Sequence, residues 1–226
     1  MKLGVLFSGG KDSTLALHKA AEKEEVSCLI TLRSKNPESY MFHTPNIDIT
    51  TLQAHALGLP LVAKVTEGKK EAELDDLQEA IAEAKQTFHI EGVVTGAVES
   101  VYQAERVQRI CNRLDLWCFN PLWKQNQKAL LEELFGAGFK VIISGVFAYP
   151  LDEKWLGKEI NADIIRKLVA LQQEIGLSPS GEGGEIETTV LDAPLFKKKI
   201  EILNYTTEAK GNSGVFRINQ ARLAPK

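Results

Sequence analysis

Apolar and polar positions along this chain follow two different periods. Residues 3–7 (LGVLF) form an unbroken apolar run that stops at Ser8-Gly9-Gly10, the pattern of a strand buried on both faces. Residues 12–24 switch to helical spacing, with Leu15, Ala16, Lys19 and Ala20 on one side. A second apolar run covers 28–32. A long polar loop, SKNPESYMFHTPN, follows at 34–46, and loops of that length in compact proteins are often functional. Residues 48–57 suit a helix closed by Gly58, and 59–65 a third strand. The clearest amphipathic helix spans 71–88, where Leu74, Leu77, Ile81, Ala84 and Phe88 recur three and four apart with acids between them. A strand at 92–96, a helix at 102–114 and a strand at 116–123 complete the series. In that helix Val107, Ile110, Cys111 and Leu114 face inward.

The order β-α-β-α-β-α-β-α-β predicts an α/β fold, a Rossmann-like (HUP-type) parallel sheet with helices on both faces. Beyond residue 123 the pattern changes character. A helix at 127–136, a strand at 140–146 and a helix at 161–175 precede the glycine- and acid-rich segment SPSGEGGEIET. Short strands at 188–191, 199–203 and 215–218 follow, so the tail reads as a smaller α+β domain. The expected division is 1–123 and 124–226, with a soft boundary between about 123 and 140.

Composition narrows the function. Of 226 residues, 44% are hydrophobic and 25% charged, which excludes disordered, collagen-like and coiled-coil chains. The net charge is −3: the first 120 residues carry 13 basic and 17 acidic side chains, the rest 14 and 13. Neither half is a basic platform, which argues against direct nucleic-acid binding. Three cysteines, Cys28, Cys111 and Cys118, with no CxxC pair, argue against a disulfide scaffold and a Cys-rich zinc site. With no signal-like start and no run long enough to span a membrane, a cytoplasmic protein without membrane contact is expected.

The chemistry concentrates after the first strand, in Ser8-Gly9-Gly10-Lys11-Asp12-Ser13. The two glycines allow a sharp turn and a close approach of backbone N–H groups to a ligand, and the helix that follows aims its positive end at the same spot. Ser8 and Ser13 add hydroxyls and Lys11 a cation, so the segment suits a phosphate or pyrophosphate. The spacing fits neither a P-loop nor a dinucleotide fingerprint.

SGGKDS resembles the PP-loop of the ATP pyrophosphatases, enzymes that cleave ATP between the α- and β-phosphates and pass AMP to a carbonyl oxygen. Further stretches narrow the resemblance: YMFHTPN at 40–46, GAVESVYQAER at 96–106, NPLW at 120–123 and GEGGEIETTVLDAPLF at 181–196. With the loop, they resemble the diphthine–ammonia ligase family over residues 1 to about 199. The resemblance implies ATP-dependent amidation of diphthine, a modified histidine on translation elongation factor 2. An acyl-adenylate forms, ammonia attacks it, and AMP and pyrophosphate are released. With no Cys-His glutaminase in the chain, free ammonia is the simpler nitrogen source. A homodimer stays open.

The resemblance also implies residue roles. Ser8, Gly9, Gly10, Lys11, Asp12 and Ser13 match the pyrophosphate loop, with Asp12 as Mg²⁺ ligand and Lys11 neutralising the leaving pyrophosphate. His43, Gly96 and Arg106 join the ATP site, the His43 and Asn46 loop closing over the nucleotide. Tyr102, Gln103, Glu182, Glu185, Glu187 and Thr188 form the substrate and ammonia site, its three acids holding a cation or acting as base. Ile186 stands where the family usually carries an aromatic residue, which weakens any stacking role there. The near-neutral second half, with Lys197, Lys198 and Lys199, is where the protein substrate would dock. Two other classes compete. A tRNA-modifying PP-loop enzyme typically carries a cysteine pair or a basic RNA-binding domain, and a non-catalytic ATP- or AMP-binding module needs no second, acidic site.

Overall fold

The computed structural model describes residues 1–36, 45–69 and 72–226. Five parallel strands form the first sheet: β1 (Lys2–Leu6), β2 (Glu25–Ser34), β3 (Leu61–Thr66), β4 (Gly92–Val94) and β5 (Trp117–Phe119), in the order β3-β2-β1-β4-β5. Four helices connect them: α1 (Lys11–Ala21), α2 (Thr50–Leu57), α3 (Ala72–Phe88) and α4 (Val101–Arg113). The chain then adds α5 (Gln127–Gly136), β6 (Lys140–Val146), α6 (Ala162–Ile175), β7 (Ile186–Asp192), β8 (Lys199–Lys210) and β9 (Ser213–Ala224). The last four strands form an antiparallel sheet in the order β7-β6-β9-β8.

Helices cover both faces of the parallel sheet, as the alternating pattern predicts. On one face α3 and α4 bury Leu77, Ile81, Val107 and Ile110 against Ile30, Leu32 and Val93. On the other face α1 and α2 lie over Leu3, Val5 and Phe7, and this core does not stop at the first sheet. It runs on through Leu130, Leu134, Ile143, Leu168, Val190 and Phe216. The two sheets form separate strand ladders yet share one apolar interior.

Three expectations need correction. The strand read at 116–123 ends at Phe119, because Pro121 lacks the N–H that a ladder needs and residues 121–124 turn. A 3-10 turn at Ile47–Ile49 precedes α2. The two short tail strands are a hairpin of two 12-residue strands. Residues 203–210 are exposed on both faces, so no apolar alternation marked them. The usable signal was Gly211-Asn212, a two-residue loop with Gly211 at φ +61°. Lys197 lies over the end of α2: its N–H donates to Ala56 O at 2.6 Å and its ammonium sits beside Gly58. Among the described residues no helix is long and apolar enough to cross a membrane.

Candidate active site

Strand order reverses between β1 and β4, and ligands of such sheets bind beyond the carboxyl ends of the strands at this point. The segment 8–13 leaves β1 there, and residues 95–100 leave β4. A cavity of about 420 Å³ opens between them and the glycine-rich turn 181–184, within the range of small-molecule sites. Its lining is part apolar, from Leu6, Ile30, Leu32, Leu77 and Val107, and part polar, from Ser8, Gly10, Lys11, Asp12, Glu182 and Glu187.

The loop is held from three sides. Ser8 and Ser13 hydroxyls lie 3.2 Å apart, and Ser13 Oγ donates to Gly10 O at 3.2 Å. Gly9 takes φ +77°, and a Cβ there would stand 2.2 Å from Gln53 Oε1. Gln53 itself is fully buried and donates from Nε2 to Gly9 O at 2.9 Å and to Val190 O at 2.8 Å. Strand β7 supplies the third side: Val190 N donates to Gly9 O at 3.0 Å, and Thr188 Oγ1 accepts from Lys11 N at 3.1 Å. Gly96 lies flat against the start of α1, where a Cβ would come within 2.7 Å of Ser13 N and 2.8 Å of Asp12 C.

Lys11 is 3% exposed, and its Nζ donates to Asp12 Oδ2 at 2.6 Å. Burial, the largest influence, works against its charge. Attraction to Asp12, Glu182 and Glu187 outweighs it and holds the ammonium above its ordinary pKa. The acids are pushed the other way. Burial raises Glu182 first, Asp12 adds to it, and Lys11 and a hydrogen bond from the Glu99 backbone oppose it, leaving a pKa of about 7. Glu187 also reaches about 7: burial is the main cause, Lys11 opposes, and Asp12 and Glu182 add. Two carboxyls near neutrality beside a permanent cation can each give or take a proton at working pH.

This has a stability consequence. A buried Glu187 raised from 4.5 to about 7 stabilises the fold at low pH, and that contribution is lost as pH rises through the window. Glu187→Gln keeps the neutral shape at every pH. Its stability relative to the parent is expected to rise by on the order of 2 kcal/mol between about pH 5 and about pH 8. Thermal melts of both proteins at the two pH values check this; a gap that does not change with pH refutes it.

The remaining expected site residues divide. Gln103 lines the cavity, one turn from Val107 on the inward face of α4, whose first turn is capped by Ser100 Oγ accepting from Gln103 N at 3.3 Å. Tyr102 and Arg106 lie about 100° around that helix and do not line the cavity. The Arg106 guanidinium stacks on the Tyr102 ring, 3.4 Å from its centroid. Glu185 is also absent from the lining. Its carboxylate accepts from Ser178 N at 3.2 Å and Gly183 N at 2.9 Å, bracing the turn that presents Glu182. Asn46 anchors its loop to the second sheet: Nδ2 donates to Phe216 O at 2.9 Å and Oδ1 accepts from Ile218 N at 2.7 Å. His43 lies outside the described residues.

Sequence reasoning missed Gln53 and Gln127. A signal existed for the first. Thr50, Gln53, Ala54 and Leu57 share the buried face of α2, so Gln53 puts an amide into an apolar stripe, and a buried amide needs partners. Gln127 gave none, since its partners are 28 to 53 residues away.

A phosphate-shaped loop at the strand-order reversal, an apolar slot beside it and paired acids opposite define a nucleotide-binding α/β enzyme of the PP-loop class. Two family models cover nearly the whole chain: the diphthamide synthase N-terminal domain matches residues 1–117 and the diphthamide synthase C-terminal domain residues 126–224. The chain belongs to the diphthine–ammonia ligase family. The diphthine–ammonia ligase of Mus musculus is 35% identical over 251 aligned residues, covering 100% of this chain and 94% of that protein. That of Danio rerio is 37% identical over 221 residues, covering 89% and 86%. A solved structure described as a "predicted subunit of tRNA methyltransferase" from Methanocaldococcus jannaschii aligns with 86% of this chain and 98% of its own, at 19% identity and a TM-score of 0.45.

Proposed function

We propose that this chain amidates diphthine on translation elongation factor 2, using ATP and free ammonia. The observation that carries the chemistry is one cavity holding a buried cation, Lys11, facing Asp12, Glu182 and Glu187, with an apolar slot alongside. The adenine and ribose lie over Leu6, Ile30 and Leu32, and the phosphates lie on the loop 8–13. A carboxylate oxygen of diphthine attacks the α-phosphorus, the bond to the β-phosphate oxygen breaks, and pyrophosphate leaves toward Lys11. The Lys11 charge offsets the negative charge that grows on it. Ammonia then attacks the acyl carbon, its surplus proton passes to Glu187 or Glu182, and the acyl–oxygen bond to AMP breaks. Carboxyls with pKa near 7 suit that transfer.

Magnesium fits this donor set at one point. Asp12 Oδ1 is buried and has no hydrogen-bond partner, while Oδ2 is engaged by Lys11, so a carboxylate oxygen is left for a cation. Among the described residues no cluster of three ligating side chains forms a cage, as expected for an ion held largely by phosphates and water. Bound there, Mg²⁺ supplies charge neutralisation at the phosphates.

The test incubates the protein with ATP, ammonium and elongation factor 2 carrying diphthine. AMP and pyrophosphate are expected in step with amide formation, read by mass spectrometry of the modified histidine. Release of ADP, or AMP formation indifferent to the factor, sinks the reading.

A further inference from the structure

Glu182 sits on a turn that carries no secondary structure of its own, and Gln127 ties this turn to the start of α5. Gln127 opens α5, and its Oε1 accepts from Ser178 Oγ at 2.6 Å, Ser180 Oγ at 3.0 Å and Ser180 N at 3.2 Å. Ser180 is 1% exposed, while Ser178 and Gln127 are half-buried, so these bonds are partly screened from water. Ser178 Oγ in turn accepts from Glu182 N at 3.0 Å, which places Glu182 one bond beyond the clamp. On its other side Gln127 Nε2 donates to Glu99 Oε2 at 3.4 Å. Glu99 lies beyond β4, and its backbone is near enough to the Glu182 carboxylate to favour the charged form. A single side-chain amide therefore spans the two walls that meet at Glu182, accepting from one and donating to the other.

We propose that Gln127 is a positioning residue for the amidation, fixing the Glu182 turn against the Glu99 wall through the two ends of its amide. The inference rests on the proposed function for the role of Glu182, though the bridge itself does not. It touches neither the cavity nor the loop 8–13, so it acts on the acid half of the site and leaves nucleotide binding alone.

The two ends of the amide make the idea separable from a general structural role. Gln127→Glu keeps an oxygen for Ser178 and Ser180 but turns the donor facing Glu99 into a second carboxylate. Adding Glu99→Gln returns a donor to that pair with the polarity reversed. Glu99→Gln alone keeps an oxygen to accept from Gln127 Nε2 but removes a negative charge that acts on Glu182, so its own rate is the baseline against which the double variant is read. Gln127→Glu is expected to lower kcat about tenfold or more with the Kd for ATP unchanged, and the double variant to recover most of the loss.

All four proteins are assayed for substrate-dependent AMP formation, ATP affinity and deuterium uptake across residues 178–185. Uptake is expected to rise in Gln127→Glu and to fall back in the double variant. A Gln127→Glu protein that turns over and exchanges like the parent overturns the proposal, as does a double variant no better than the single. If the parent itself shows no amidation, the proposed function fails, and exchange across 178–185 alone decides the bridge.

Discussion

Lys11→Met is expected to reduce substrate-dependent AMP formation by roughly 10²–10³-fold, the loss typical of removing one group that stabilises developing negative charge. Methionine keeps most of the volume and the unbranched stem, so the packing around this 3%-exposed side chain is disturbed little. What disappears is a buried positive charge that faces Asp12, Glu182 and Glu187. The effect is double. Pyrophosphate loses its counter-charge as it leaves, and the two glutamates lose the cation that restrains their protonation. Steady-state AMP release, with a melting curve to show that the variant is folded, measures it. A variant within about fivefold of the parent removes Lys11 from the reaction.

The second large effect is expected at Gly96. A methyl group there would meet Ser13 N at 2.7 Å and Asp12 C at 2.8 Å, and both are backbone atoms of the first turn of α1. A flexible side chain could swing away from such a clash; the start of a helix packed on a sheet cannot. Gly96→Ala should cost about 3 kcal/mol and lower Tm by roughly 6–12 °C. It should also weaken ATP binding, because the atoms that must move are those of the phosphate loop. Gly136→Ala is the control, since a Cβ at that position meets nothing within 4 Å. Calorimetric ATP binding that is equal in the Gly96 variant and the parent would show that the contact does not shape the loop.

The parallel sheet was legible because each strand is a compact apolar run and each helix carries a helical stripe, as with Leu77 and Ile81 of α3. The loop 8–13 was legible for a local reason: its chemistry lies in six consecutive residues. Glu182 and Glu187 were legible only through resemblance, because acids beside glycines look like a solvated turn until the fold brings them to Lys11. Glu185 lies in the same string, yet the turn uses its carboxylate internally. Tyr102 and Gln103 are adjacent in sequence, and about 100° of helix rotation separates the one off the lining from the one on it. Gln53 and Gln127 act through partners far along the chain, which no local pattern encodes.

Gln53 also bears on how the nucleotide gets in. One amide nitrogen bonds a carbonyl of the phosphate loop and a carbonyl of β7, and Val190 closes the triangle by donating to Gly9. The seam between the two sheets is thus riveted at the very loop proposed to receive the phosphates. Parting the sheets like jaws would dismantle the receptor before anything could bind. On the proposed function, ATP would reach this loop along the seam, beyond the carboxyl ends of the strands, with the sheets held together.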